Sequence, residues 1–187
     1  MSGTEEKKVS CDRVAVWDVT SRSGLYSVEF EHGTTTGKRI IRVNGSELIR
    51  KDWMFKLVGC EEFQVGESKC CVKIEPFGLF AYRYSLEVDG KPFKKFIERQ
   101  SKILKTWTIK TVDGSDLRVV LEKDTMDIWV NGQKVDTQSE FVDGGTRTHF
   151  ECANAPATLH ALCTGIKKQP MLYSLTFNGE EIPESHE

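Results

Sequence analysis

No stretch of about 18 consecutive apolar residues, the length a helix needs to cross the hydrocarbon core of a bilayer, occurs in this sequence. The amino terminus, MSGTEEKKVSCDR, also lacks the apolar segment of a secretory signal peptide. The sequence therefore predicts neither a transmembrane helix nor export. We expect a cytoplasmic protein that does not bind membranes.

The sequence also lacks a large excess of charge of one sign, because its formal net charge is only -2. Such a chain has no long-range attraction to phosphate backbones, so nucleic-acid binding is disfavoured. Catalytic signatures are absent as well: the sequence contains no G-x-S-x-G, no H-E-x-x-H and no G-x-G-x-x-G. The segment GTTTGKR has three residues between its glycines where a phosphate loop has four, so it predicts a turn between strands. We expect a protein that is not an enzyme and that has no cofactor.

The cysteines form no C-x-x-C pair, and a cytosolic protein is expected to keep them as free thiols. Cys70 and Cys71 are adjacent, but consecutive side chains of a strand point to opposite faces and cannot readily converge on one ion. We expect Cys70 in the core and Cys71 as an exposed thiol, whose pKa the cations of Lys69 and Lys73 could lower. The six cysteines are Cys11, Cys60, Cys70, Cys71, Cys152 and Cys163.

What the sequence does contain is an internal repeat. IRVNGSEL, which begins at Ile41, returns as IWVNGQKV at Ile128, and YSLEVDGKP at Tyr84 returns as YSLTFNGEEIP at Tyr173. The Asn-Gly and Asp-Gly pairs are strong hairpin signals, because a type I′ turn needs positive φ at both central residues. The offsets of 87 and 89 between these copies indicate two copies of one domain.

Short alternating strands separated by glycine and Asx turns, with no convincing helix among them, predict an all-β fold. We expect two tandem, internally duplicated antiparallel β-sandwich domains with a short linking helix. The predicted organisation is a flexible tail over residues 1–13, an N-terminal β-sandwich over 14–92, a linker over 93–105 that the pattern allows to be helical, and a C-terminal β-sandwich over 106–184.

The linker has apolar residues at helical spacing. Phe93, Phe96, Ile97 and Leu104, with the polar Gln100, form the stripe of an amphipathic helix. The opposite face carries five cations, which are either simply solvated or a docking surface for an acidic partner. Those cations are Lys94, Lys95, Arg99, Lys102 and Lys105.

One strand face of the second copy suggests a metal site. If Phe150 lies opposite Leu159 in a hairpin, His149 lies opposite His160 with Glu151 diagonal to them. Directly opposed Cβ atoms are about 5 Å apart, so one metal ion could reach these side chains. Polar residues on a solvated strand face are far commoner than metal sites, so this set is a weak candidate and we expect no bound metal. The same face is where an enzyme would have its catalytic groups.

The segment IRKDWMFKLVG has apolar residues on both faces when it is drawn as a strand, with Trp53, Phe55 and Leu57 on one of them. Such a strand is usually buried between layers. At a sheet edge, it could instead capture an extended chain by strand addition. The candidate partner-binding residues are Trp53, Met54, Phe55 and Lys56.

Several long segments together closely resemble the Fas apoptotic inhibitory molecule family, over roughly residues 14–184. The resemblance implies a cytosolic, non-enzymatic protein of two β-sandwich domains. It also implies protection against death-receptor-induced apoptosis and a role in limiting protein aggregation under stress. It offers no catalytic residues. The segments are VAVWDV, EFEHGTTTGKR, IRKDWMFKLVG, VLEKDTMDIWVNG, EFVDGGTRTHF and NGEEIPE.

The favoured hypothesis is an interaction protein whose partners are proteins, either signalling partners or aggregation-prone clients. WMFKLVG in the first copy corresponds to the less apolar SEFVDGG in the second, so the first copy is expected to carry more of the binding. The alternative is a pair of β-domains that each enclose an apolar pocket for a small ligand.

Overall fold

The computed structural model describes residues 13–79, 81–111, 114–166 and 169–185. All but one residue of the predicted flexible tail therefore lie outside the described residues. The chain divides into two compact units, the first made of Met1–Ser21 and Leu25–Arg99 and the second of Arg22–Gly24 and Gln100–Glu187. Among the described helices, none is both long and apolar enough to span a membrane.

The described part of the first half of the chain forms two antiparallel sheets of four strands each. The strands are β1 Arg13–Ser21, β2 Gly24–His32, β3 Arg39–Val43, β4 Ser46–Lys51, β5 Gly59–Val65, β6 Ser68–Phe77, β7 Ala81–Val88 and β8 Lys91–Pro92. One sheet has the order β1-β2-β3-β4 and the other β5-β6-β7-β8. Every pairing follows chain order.

The second half repeats this scheme after one helix, α1 Phe93–Ile103. Its strands are β9 Leu104–Lys110, β10 Asp116–Glu122, β11 Asp127–Val130, β12 Gln133–Lys134, β13 Gln138–Val142, β14 Gly145–Cys152, β15 Ala155–Ile166, β16 Gln169–Phe177, β17 Glu180–Ile182 and β18 Glu184–Ser185. Two five-stranded sheets result, with the orders β12-β11-β10-β9-β18 and β13-β14-β15-β16-β17.

In each unit the two sheets share one apolar core. Phe30 of β2 packs in the same cluster as Val72 of β6, and Trp107 of β9 packs in the same cluster as Leu159 of β15. Alternate residues of each strand point into these cores, which is the arrangement of an antiparallel sandwich. The predicted all-β fold is confirmed.

The duplicated hairpins adopt the predicted turn. Asn44 and Gly45 have φ of 50° and 80°, and Asn131 and Gly132 have φ of 47° and 79°. Positive φ at both central residues is what a type I′ turn requires, and its twist matches that of the flanking strands.

The linking helix is also present. Phe96 of α1 is buried in the first unit's core, and Phe93 and Ile97 pack against that core. Lys94, Lys95, Arg99 and Lys102 are exposed on the opposite face, as the helical spacing predicts. The helix ends at Ile103, so Leu104 and Lys105, which the pattern places on it, belong to β9 instead.

Candidate functional site

The segment Asp52–Val58, here called the aromatic loop, has no strand structure: β4 ends at Lys51 and β5 begins at Gly59. Its side chains are not buried between layers, because Trp53 is 58% exposed and Phe55 is 89% exposed. The prediction of a buried strand with two apolar faces is therefore wrong.

The two aromatic residues of this loop pack on one another at the surface. The ring centroids of Trp53 and Phe55 are 4.2 Å apart and their planes meet at 75°. This edge-to-face contact directs the positive edge of one ring at the negative face of the other. Met54 is partly buried and Lys56 is exposed. The four predicted partner-binding residues thus lie on one loop, with the aromatic pair most open to a partner.

A buried arginine explains why the segment is a loop. The Arg39 guanidinium donates hydrogen bonds to the backbone oxygens of Lys56, at 2.7 Å, and Val58, at 3.0 Å. It also donates to Glu61 Oε1 at 2.7 Å, and the side chains of Arg39 and Glu61 are only 3% and 5% exposed. Lys51 Nζ lies 2.6 Å from the other oxygen of Glu61. These bonds draw backbone carbonyls toward a fixed cation and away from strand pairing.

The other end of the aromatic loop is fixed by the GTTTG turn. The Met54 amide donates a hydrogen bond to the Thr36 backbone oxygen at 2.9 Å. Gly37 has φ of +69°, and a Cβ at this position would lie 2.3 Å from the Met54 backbone oxygen. The segment that resembles a phosphate loop is thus a turn, as predicted, and it anchors the aromatic loop.

In the second unit, the corresponding segment is a strand. β13 pairs antiparallel with β14, from Gln138 opposite His149 to Val142 opposite Gly145. At the offset of 87, Met126 and Thr148 replace Arg39 and Glu61, so the second unit lacks the cation that holds the carbonyls. In the first unit, β5 is the edge strand of its sheet and pairs with β6 alone among the described strands. Among the described strands, the sheet edge that follows the aromatic loop is β5 in the first unit, whereas in the second unit the corresponding segment, β13, is itself the edge strand.

His32 lies beneath this region in a cluster of aromatic rings. It is buried, its Nδ1 lies 2.9 Å from the Tyr84 hydroxyl, and the Tyr82 ring meets its face at 5.1 Å between centroids. Burial lowers the pKa of His32 below 6.5, the charge of Arg39 lowers this pKa further, and a hydrogen bond with the Leu57 backbone partly opposes both. The folded first unit therefore holds this imidazole neutral.

This lowered pKa predicts acid sensitivity. The unfolded chain binds a proton at His32 near the ordinary pKa of histidine, whereas the folded chain binds it only at a lower pH. The contribution of His32 to the free energy of unfolding is therefore complete above about pH 6.5 and declines as the pH falls below that value. We expect the free energy of unfolding, measured by denaturant titration, to decrease from pH 7 to pH 5. His32→Phe is expected to flatten this dependence.

The matched control is His160→Gln in the second unit, because burial also lowers the pKa of His160, a less buried residue. This variant is expected to remove a smaller part of the dependence. A pH profile of His32→Phe identical to that of the wild type would contradict the assignment.

The predicted register of the His149 hairpin is wrong by two residues, so the structure does not place His149 opposite His160. His149 lies opposite Thr158, His160 lies opposite Arg147, and Glu151 lies opposite Pro156. His149 contacts Thr158 Oγ1 at 3.1 Å through Nδ1 and a carboxylate of β13 at 3.3 Å through Nε2. Within the described ranges, no group of three or more His, Cys, Asp or Glu side chains could hold a metal ion.

A tight turn causes this shift of register. Ala153 and Asn154 have φ of 49° and 58°, so they alone form the turn and Cys152 pairs directly with Ala155. The predicted pairing of Phe150 with Leu159 instead requires a four-residue turn, Ala153 to Pro156. Alanine rarely adopts positive φ, so nothing in the sequence alone indicates that Ala153 does.

The vicinal cysteines face opposite sides, as predicted. Cys70 is buried in the first core. Cys71 lies on the outer face but is partly buried, so it is not the exposed thiol that the sequence predicts; Cys60 is exposed instead. Burial raises the pKa of Cys71 to about 11, with further contributions from the charge of Cys60 and a hydrogen bond with it, and only Lys73 opposes the shift. The expectation that neighbouring lysines lower this pKa is therefore wrong. Cys11 lies outside the described residues.

An open cavity of about 760 Å³ lies over this outer face. Its lining includes charged residues and thiols, among them Cys60, Glu62, Cys71, Lys73 and Glu87. Such a lining differs from the enclosed apolar pocket that the small-ligand alternative requires.

Arg39, Glu61 and Gly37 position the aromatic loop, and the sequence analysis misses all three. The sequence does contain an indication that Glu61 is buried. Glu61 has the same parity as Phe63 and Val65, so it must face the core, and an inward-facing carboxylate needs a buried cation. Arg39, at the start of the apolar run RIIRV, is the cation that meets this need.

Comparison with known proteins agrees with the resemblance seen in the sequence. The model of the Fas apoptotic inhibitory molecule family matches residues 13–185. Fas apoptotic inhibitory molecule 1 of Mus musculus is 51% identical over 175 residues, which cover 92% of this chain and 97% of the mouse protein. The Homo sapiens protein of the same name is 49% identical over 175 residues, again 92% of this chain and 97% of the relative. This chain belongs to the Fas apoptotic inhibitory molecule family.

Proposed function

We propose that this protein is a non-enzymatic, cytoplasmic interaction protein that binds exposed polypeptide segments and thereby limits aggregation and restrains Fas-dependent apoptosis. The observation that carries the binding proposal is the Trp53–Phe55 pair, exposed on a loop whose backbone is fixed at both ends. The apoptotic part rests on the name that the family and its relatives bear. Neither the family nor these relatives is named for an enzyme class.

The aromatic loop has the properties of a binding hot spot. Burial of a large apolar side chain against a partner contributes about 1.5–3 kcal/mol. Aromatic anchors, tryptophan above all, dominate protein interfaces for this reason. The bonds from Arg39 and Thr36 hold the backbone before a partner arrives, so less conformational entropy is lost on binding.

The edge of β5 supplies a second, sequence-tolerant mode of contact. An extended client can add a strand there, because backbone hydrogen bonds give affinity with little preference for side chains. The second unit shows how an added strand would pair, since its own β13 pairs with the corresponding edge of β14. This difference supports the first unit as the principal binding unit. Client strands with unpaired edges are the segments that aggregate, so covering them limits aggregation.

The test is light scattering of a heat-stressed client protein in the presence of the full chain. Trp53→Ala combined with Phe55→Ala is expected to raise the concentration needed for half-suppression by about tenfold or more, because two anchors are lost. The matched control is Phe141→Ala on β13, since Phe141 is 93% exposed yet belongs to the second unit. Equal suppression by the double variant and the wild type would contradict the proposal. So would equal losses in the double variant and Phe141→Ala.

The apoptotic role is tested separately in cells that express this chain and are treated with Fas ligand. Wild-type chain is expected to increase survival relative to cells without it. The double variant is expected to lose this protection if client binding underlies it. Wild-type chain that leaves survival unchanged would contradict the apoptotic part of the proposal and leave the binding part to the scattering test.

A further inference from the structure

Two cysteines of the first unit are neighbours on the outer face of its second sheet. Cys60 of β5 lies opposite Lys73, and Cys71 of β6 lies opposite Glu62, so the two cysteines are diagonal partners across adjacent strands. The two thiols are close enough for Cys60 to raise the pKa of Cys71, and both line the open cavity described above. Cys70 takes no part in the pair, because it is buried in the core.

We propose that Cys60 and Cys71 form a reversible dithiol–disulfide couple that exchanges with small disulfides of the glutathione class. The two cysteines lie on the outer face of the sheet, whereas the proposed function uses the aromatic loop and the edge of β5, so thiol exchange and client binding are measured separately. It is a modification site of the first unit alone, because Arg147 and Thr158 stand at the equivalent positions of the second unit, at the offset of 87.

The reaction proceeds in two exchanges. Exposed Cys60 attacks, as the thiolate, one sulfur of glutathione disulfide; that S–S bond breaks, one glutathione thiolate leaves and takes up a proton, and a mixed disulfide remains on Cys60. Cys71 then releases its proton to solvent and attacks the Cys60 sulfur, expelling the second glutathione. Two protein thiols are oxidised by two electrons, and one glutathione disulfide is reduced to two glutathione thiols.

The electrostatics of the pair favour this order. Cys71 is partly buried, and part of the rise in its pKa comes from the charge of Cys60 and from the hydrogen bond with it. Once Cys60 is in a mixed disulfide, it carries no thiolate charge, so its contribution to the raised pKa of Cys71 disappears, while those of burial, Lys73 and Glu87 remain. Cys71 therefore becomes a better nucleophile when there is a mixed disulfide to resolve.

The cavity fits a small zwitterionic disulfide. Its volume of about 760 Å³ is in the range of small-molecule sites, about 300–1,000 Å³. Lys69 can meet a carboxylate of glutathione and Glu62 can meet an ammonium group. Lys73 and Glu87 bind one another at 2.6 Å, and glutathione would have to compete with that ion pair. Both signs of charge therefore line the approach to Cys60.

Strand geometry makes the disulfide reversible rather than structural. Diagonal cross-strand positions are about 7–8 Å apart, whereas disulfides prefer Cα separations of about 4.4–6.8 Å. Closing the bond therefore needs a small movement of the backbone. Strained and accessible disulfides are the more readily reduced ones.

The experiment equilibrates the purified full chain with mixtures of glutathione and glutathione disulfide, traps free thiols by alkylation and measures the intact mass. Wild-type chain is expected to form one internal disulfide that excess glutathione reverses. Cys163→Ser is the matched control, because Cys163 is exposed but belongs to the second unit, and it is expected to behave as wild type. Cys71→Ser is expected to stop at a mixed disulfide on Cys60, and Cys60→Ser is expected to form no internal disulfide.

Cys70→Ala separates the two adjacent cysteines and is expected to retain the internal disulfide. An internal disulfide that persists in Cys71→Ser would overturn the pairing. Wild-type chain that accumulates only the mixed disulfide, or that does not react, would overturn the proposal. Circular dichroism of each reduced variant confirms that the comparison is made between folded proteins.

Discussion

Arg39→Met is expected to lower the free energy of unfolding of the first unit by about 3–5 kcal/mol, because it leaves the carboxylate of Glu61 buried without its main partner. Lys51 also contacts Glu61 but is far more exposed, so it compensates only in part. The measurement is hydrogen exchange of the amides of β3 and β5 in the full chain, which reports the first unit alone. A loss below about 1 kcal/mol would contradict the prediction, since breaking a buried ion pair has larger effects.

The matched variant combines Arg39→Met with Glu61→Thr, which reproduces Met126 and Thr148 of the second unit. It removes both charges together, so it is expected to recover more than half of the lost stability. It also removes the bonds to the Lys56 and Val58 carbonyls. We expect the aromatic loop to become mobile in this variant and the client-shielding activity to fall even though the unit stays folded.

Gly37→Ala is expected to have the second large effect. The added methyl group would lie 2.3 Å from the Met54 backbone oxygen, at a residue whose φ of +69° already disfavours alanine. The backbone must move to relieve the contact, so the aromatic loop is displaced. We expect the loss in free energy of unfolding to exceed clearly the cost of placing alanine at positive φ. Thermal unfolding of the full chain and the scattering assay measure the two consequences.

Gly78→Ala provides the matched control for this substitution. Gly78 has φ of +72°, but no atom of the described residues lies within 4 Å of the place where its Cβ would be. It therefore reports the conformational strain without the clash, about 1–2 kcal/mol. We expect Gly78→Ala to retain client shielding and Gly37→Ala to lose it. Equal effects of the two substitutions on both stability and shielding would show that the contact between Gly37 and Met54 does not position the loop.

The Asn-Gly hairpins and the linking helix could be predicted because their determinants are local. Asn44 and Gly45 tolerate positive φ by their own chemistry, and Phe93, Phe96 and Ile97 lie on one helical face whatever they pack against. The same reasoning places Cys70 and Cys71 on opposite faces of β6, since alternation is a property of the strand itself.

Prediction failed where a distant residue or a rare backbone conformation decides the outcome. The aromatic loop has the composition of a strand, yet Arg39, which precedes Lys56 by 17 positions, binds its carbonyls and prevents pairing. The register of His149 depends on Ala153 adopting positive φ, which alanine seldom does. The rise in the pKa of Cys71 depends on burial and on Cys60 in the neighbouring strand.

The sequence by itself determined the duplication, the all-β class, the hairpin turns and membership of the family, because repeats, alternation and turn chemistry can all be read along the chain. The tertiary structure alone decided which surface is available for binding. The two copies differ there because one has a buried Arg39–Glu61 pair and the other has Met126 and Thr148. A buried cation needs acceptors for its donors, and in the first unit Arg39 Nη2 finds them in two carbonyls of a segment that the second unit uses as a strand.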